Sequence, residues 1–415
     1  MLSTLPRSVR RPATHGVGLS VALVLLTAFA APQKGDPKPN DPATCPYCKG
    51  DPELLRKAGL FSHGTFEFGI NDTAGVDALM ATCDIRWVES AHFQIGVALG
   101  SYKIKEEEKK SIRVELERLA KVLPNVDMKP KVLDPWIRVH LYAQRCEDVY
   151  ARFCELMQIK DSDFPPGTAP WNGQGKYMGE GPFLGQKGKY EVLLLPSEAA
   201  GAQFLREQYG LQTKLSQRWN LTQRDSLSLV AHTGQGGLKE DPAMHGHVAF
   251  NLAINLLDGY KHYSYDTPIW IREGLGHLIE REINPKYNTF DSSEGAVAEM
   301  TKKEKWEPEV KKMIAANQHI SMAQLMSLKD YAGLTLNHHF TTWSMTDFLV
   351  KTNPGGYACL NDKLHGRTNK QNFADGSNMP DVHREAFQEC LGMNYSQFEA
   401  AWIKWVGETY TATPP

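Results

Sequence analysis

The chain has 415 residues, 41% hydrophobic and 23% charged, the composition of a globular protein built as one large domain or two to three smaller ones. Its formal net charge of −2 excludes the broad basic field that nucleic acid or an anionic lipid surface would select. Basic pairs such as Lys109-Lys110 and Lys302-Lys303 alternate with Glu and read as solvated helix faces.

At the N-terminus, Arg7, Arg10 and Arg11 precede a weakly polar to apolar stretch, Val17 to Ala30, that closes on Ala28-Phe29-Ala30. A basic start, a short apolar run and a small-x-small end form the pattern of a secretory signal peptide. Residues 1–30 are therefore expected to be a signal, and the mature protein to be extracytoplasmic, periplasmic or secreted. An uncleaved anchor is the alternative. The run is short for a membrane-spanning helix, and no later segment reaches that length, so no integral membrane segment is expected after signal removal. Residues 31–44 are rich in Pro, Lys and Asp and read as a disordered spacer.

Residues 45–84 form an N-terminal segment marked by Cys45-Pro46-Tyr47-Cys48. With seven cysteines, at least one is unpaired if all bridges are internal. The motif is similar to the dithiol of glutaredoxins, but a spacer precedes it where a redox fold would place a buried strand. Lys49 stands where c-type haem attachment needs His. A zinc knuckle would need a second ligand pair, for which His63 and Cys83 are the nearest candidates. The preferred reading of Cys45 and Cys48 is a local disulfide or structural clip, with a redox pair as the alternative. Cys146 and Cys154 fall on one predicted helix, about 12 Å apart, too far to bridge. Cys359 and Cys390 flank a loop-rich insert and are the expected long-range pair.

Ile85 to Leu99 alternates and predicts a strand. Lys105 to Leu123 predicts a helix with Ile112, Leu116, Leu119 and Leu123 on one stripe. Asp134-Pro135 signals the start of a helix running to about Ile159. Residues 161–188, with four Pro and seven Gly, predict a long loop. Lys189 to Leu195 reads as a buried strand, Ser197 as the cap of a helix through Tyr209, and Asp225 to His232 as an edge strand. Helices follow from about Pro242 to Leu257 and from Ile269 to Ile283, and the rest is mostly helical. The fold class is α+β: a small mixed or antiparallel sheet packed with helices over 85–290, then a mainly helical C-terminal subdomain over 291–415.

Two helices carry the chemistry. One reads His245-Gly-His247-Val-Ala-Phe-Asn251; the other reads Pro268-Ile-Trp270-Ile-Arg272-Glu273-Gly274-Leu-Gly-His277. The pair resembles the metal-binding helices of the gluzincin, or peptidase MA-like, metallopeptidases, which carry H-E-x-x-H on the first helix and a Glu ligand in W-x-x-E-G on the second. The resemblance implies a zincin-like fold over roughly residues 85–415. It gives His247 the first ligand position and Glu273 the third. Val248 stands where the general base belongs, and Asn251 where the second His belongs. Valine accepts no proton, and an amide is a poor zinc ligand beside an imidazole. Loss of the base alone typically costs a factor of about 10²–10⁴ in rate.

His277 lies four residues after Glu273 on the same helical face and is the residue that could replace the missing ligand, in a rearranged set of His247, Glu273 and His277. Asn251, Asn255 and Trp270 are read as lining the inherited cleft. His338 and His339 are adjacent, diverge on a helix, and read as surface or core singletons.

The resulting expectation is an exported protein of peptidase-like fold, inactive as a peptidase, that acts as a binding or structural protein and takes a peptide, glycan or protein ligand in its cleft, with no cofactor expected beyond a possible zinc. The alternatives are a zinc-dependent hydrolase using His247, Glu273 and His277, and a thiol-redox role for Cys45 and Cys48.

Overall fold

The computed structural model describes residues 38–264, 266–293, 296–297 and 304–411, with backbone alone at 291–293 and 296–297. The expected signal peptide, and the spacer as far as residue 37, lie outside them. The described residues cluster as a single compact unit. Among the described residues no helix is long and apolar enough to cross a membrane.

Eight strands form the main sheet: β1 (Leu60–Ser62), β2 (Arg86–Ser90), β3 (Phe93–Val97), β4 (Tyr190–Leu195), β5 (Gln217–Leu221), β6 (Ser226–His232), β7 (Asp291–Ser293) and β8 (Ala296–Val297). Their order is β1-β2-β3-β4-β6-β5-β8-β7. The centre is parallel, β3 with β4 and β4 with β6, and the flanks are antiparallel. The main helices are α1 (Pro52–Lys57), α2 (Lys109–Leu119), α3 (Pro135–Met157), α4 (Glu198–Tyr209), α5 (Asp241–Gly259), α6 (Ile269–Ile283), α7 (Glu307–Ala315), α8 (Leu336–Thr352), α9 (Pro354–Leu364), α10 (Met379–Leu391) and α11 (Tyr395–Thr409). The α+β class is as the sequence predicts.

The parallel centre explains the apolar run of β4. Tyr190, Val192 and Leu194 enter the core shared with α3 and α5, while Leu193 and Leu195 meet Phe204 and Leu205 of α4 on the other face. A strand covered on both sides is buried at every position, and the one charged residue of β4, Glu191, is met by Arg224 at 2.6 Å. For the same reason α5 lacks a solvent face, and Val248 through Leu257 are all buried.

Three expectations change. Ile85 to Leu99 is a hairpin, β2 and β3, because the chain reverses between Ser90 and Phe93. The strand ending at His232 is interior: Gln217–Leu221, which the sequence reading passed over, pairs along its far side. The end of the spacer is packed against the fold, where Asn40 Nδ2 donates to the Ile85 carbonyl at 3.1 Å and Trp136 Nε1 to Thr44 Oγ1 at 3.2 Å.

Helix α3 starts as predicted: Asp134 accepts hydrogen bonds from the Trp136 and Ile137 amides, and Pro135 fills the first turn. Arg138 and Arg145 on α3 grip Asp241 at the start of α5, at 3.0 and 2.8 Å, and Arg145 also meets Glu115 of α2 at 2.8 Å. Burial opposes the charge of Asp241, but Arg145 and Arg138 bring its carboxyl down to about 2. At the C-terminal end, Cys359 of α9 and Cys390 of α10 form the predicted disulfide.

Asp241→Asn leaves two buried guanidiniums short of a counter-charge and is expected to cost about 3–5 kcal/mol at neutral pH. A carboxyl whose folded pKa is depressed contributes stability above its unfolded pKa and loses it as pH falls toward the folded one. The gap between wild type and variant in urea melts should therefore narrow as pH falls from about 4 toward 2. Replacing both Cys359 and Cys390 by Ser opens a loop of 31 residues and should cost about 3–4 kcal/mol in the same assay.

Candidate metal centre

Helix α6 is made for close neighbours. Its Glu273-Gly274-Leu275-Gly276-His277 turn places a glycine toward each of two helices. A Cβ on Gly274 would stand 2.8 Å from the Thr342 carbonyl oxygen of α8, and one on Gly276 would stand 2.7 Å from the Phe250 ring of α5. Both glycines thus allow backbone approach that alanine would block.

That approach brings His339 of α8 to the turn. Glu273 Oε2 lies 2.9 Å from His339 Nδ1 and 3.4 Å from His277 Nε2, and the two imidazole nitrogens are 3.1 Å apart. All three side chains are buried. Ligands held at about 2.0–2.2 Å in a tetrahedron stand roughly 3.3 Å from one another, close to the observed edges. The donor set, one carboxylate and two imidazoles, suits zinc in composition and in count.

The surroundings fix the imidazoles. His277 Nδ1 lies 3.4 Å from Glu280 Oε2, which orients the ring so that Nε2 faces Glu273. Glu280 is itself held by the Thr289 amide at 3.0 Å and hydroxyl at 2.5 Å. Rings close the space: Phe250 and Trp306 lie 5.0 and 4.9 Å from His277, and Phe290 lies 4.5 Å from His339. Burial would raise the Glu273 carboxyl, but His277 and His339 hold it well below its ordinary range. Burial works against a charge on His277, yet Glu273 and Glu280 raise it above the usual imidazole value. Burial lowers His339, only partly offset by Glu273.

Two of the three sequence-predicted ligands, Glu273 and His277, therefore meet, and the third position belongs to His339 rather than His247. A helix turns about 100° per residue, and Gly246 and Phe250 take the α5 face that meets α6. His247 is turned away from that face. Burial, with His232 and Arg218 nearby, lowers its pKa to about 3, and neither ring nitrogen has a hydrogen-bonding partner among the described residues. Asn251 Oδ1 accepts from Arg218 Nη1 at 2.8 Å, and Asn255 Nδ2 donates to the Ser228 carbonyl at 3.2 Å. The polar stripe on α5 thus faces β5 and β6. His339 was missed because a lone imidazole on a distant helix carries no spacing signal.

A cleft of about 530 Å³ opens beside β5, lined by Arg218, Trp219, Asn255, Asp258, Tyr263 and Arg272 among others. Asn255 lines it as expected, and Asn251 supports it through Arg218. Trp270 does not. Its ring is buried, donates to His383 Nε2 at 3.2 Å, and packs on Phe387, so it anchors α10. None of the three converging ligands lines this cleft.

Cys45 and Cys48 lie elsewhere. They are unbridged and buried, and their sulfurs converge with His140 of α3.

No protein-family model and no curated protein matches the chain.

Gly274→Ala should push α8 away from α6. The expected cost is about 1–3 kcal/mol in chemical denaturation. Zinc affinity, read by competition with a chromogenic chelator, should fall along with it, because His339 leaves with α8.

Proposed function

We propose that the protein is an exported, gluzincin-like zinc protein that does not hydrolyse peptides. It uses the cleft beside β5 to bind a peptide, glycan or protein ligand. One observation carries this reading: Glu273 keeps a ligand position on the second helix, while the first helix contributes neither base nor ligand. Val248 cannot take a proton from a metal-bound water, and His247 and Asn251 face the sheet. Zinc held by Glu273, His277 and His339 would lock α6 to α8 inside a box of aromatic rings. The neighbouring cleft, with two arginines, an aspartate, a tryptophan and a tyrosine, offers the mixture of charge and flat apolar surface on which polar ligands orient. Export rests on the basic, apolar and small-residue pattern of residues 1–30.

A second reading follows from the ligand count. Three protein ligands leave one zinc position for water or substrate, which is the arrangement of hydrolytic sites. The burial of all three residues supports the first reading over this one.

The test joins elemental analysis to activity. Wild type purified without chelators should carry one zinc ion more per chain than Glu273→Gln or His339→Ala. It should leave a broad library of fluorogenic peptides uncut. Zinc-dependent cleavage that Glu273→Gln abolishes would establish the hydrolase instead. Equal metal content in wild type and both variants would remove the centre altogether.

A further inference from the structure

The N-terminal segment holds a second constellation that the cleft and the α6–α8 centre do not use. Cys45 and Cys48 are buried to within 1% of full enclosure, and both sulfurs are unbridged. The turn between them is that of a metal knuckle. The Cys48 amide points at Cys45 Sγ across 3.5 Å, the Lys49 amide donates to the Cys45 carbonyl at 3.1 Å, and Lys49 and Gly50 take left-handed φ values of 53° and 68°. Two imidazoles close on the sulfurs from other elements. His140, on α3, has Nε2 3.4 Å from Cys45 Sγ, and His63, just past β1, has Nε2 3.1 Å from Cys48 Sγ. The donor atoms of Cys45, Cys48 and His140 all lie within 4.8 Å of one another, and His63, outside that mutual distance, meets the group at Cys48. His63 Nδ1 lies 2.6 Å from the Trp87 carbonyl, to which it can only donate, so Nε2 is the nitrogen left with a lone pair.

We propose that Cys45, Cys48, His63 and His140 bind a structural zinc ion that fastens the N-terminal segment to α3 and the sheet. Zinc–sulfur and zinc–nitrogen bonds of about 2.3 and 2.0–2.1 Å place sulfur and nitrogen ligands roughly 3.5 Å apart in a tetrahedron. The observed sulfur–nitrogen separations, 3.4 and 3.1 Å, are of that size. Two thiolates and two imidazoles form the set that selects zinc by softness and geometry. Four protein ligands leave no open position, so the site is closed and holds structure rather than catalysing. A dithiol that exchanges with substrates needs an accessible sulfur, and neither sulfur here is accessible. A plain Cys45–Cys48 disulfide would leave the convergence of two imidazoles without a purpose.

Cobalt substitution of the full-length chain, prepared under reducing conditions, tests this directly, because thiolate ligation gives an intense sulfur-to-cobalt charge-transfer absorption that carboxylate and imidazole ligands do not. Wild type and Glu273→Gln should both show the band, and Cys48→Ser should lose it together with one bound metal. A wild type that lacks the band, or whose Cys45 and Cys48 are recovered as a disulfide or react as metal-free thiols, overturns the proposal. The wild-type spectrum decides even if Cys48→Ser does not fold. Failure of the α6–α8 centre would lower the metal count but leave the band, so the two sites are judged separately.

Discussion

Everything specific to this molecule depends on how closely α6 can be approached from two sides. Gly274 admits α8 and Gly276 admits α5, each at a distance where a single methyl group would collide with backbone or ring. Close helix contact converts three ordinary residues into a site. Glu273 and His277 share a face by helical periodicity, but only the shortened distance to α8 delivers His339 to within 3.1 Å of His277. Once there, His339 and His277 both face the Glu273 carboxylate, at 2.9 and 3.4 Å. A carboxylate buried among two imidazoles and three aromatic rings requires protons or a cation between them.

The division between this centre and the cleft beside β5 follows from the rotation of α5. One face of the helix, Gly246 and Phe250, is spent on contact with α6. The adjoining face, His247, Asn251 and Asn255, meets β5 and β6, where Arg218 and the Ser228 carbonyl answer its polarity. A metallopeptidase needs metal, base and substrate cleft on a single line. Here the polar stripe faces β5 and β6, while Glu273, His277 and His339 gather beyond the neighbouring face of α5.

Much of the fold was legible because its signals are local. Asp134-Pro135, Ser197 and the mostly apolar stretch 190–195 each announce an element through capping chemistry or burial, and each appears where predicted. The strand Gln217–Leu221 was not legible, since Gln, Arg and Asn dominate it and their partners lie on other elements. The site was half legible for a similar reason. Glu273 and His277 are related by a four-residue spacing, which a sequence displays. His339 is related to them by a helix packing set by two glycines, which it does not. The cluster at Cys45 and Cys48 shows the same limit. The Cys-x-x-Cys pair is visible in the chain, but His140 sits 92 residues beyond Cys48 near the start of a long, largely buried helix, indistinguishable there from a core histidine.

Helix α3 has a mechanical consequence. It is 23 residues long, about 34 Å at 1.5 Å per residue, without an internal proline or glycine to bend it. His140 lies between Arg138 and Arg145, so the side chain facing the N-terminal cysteines and the two gripping the first turn of α5 share a rigid rod less than two turns long. Farther along, Arg152 engages Glu282 near the end of α6. The rod therefore behaves as a spine to which the N-terminal segment, the first turn of α5 and the end of α6 are all hung. Three separate parts of the chain are thus fastened to one straight helix, through His140, through the Arg138 and Arg145 pairs with Asp241, and through Arg152.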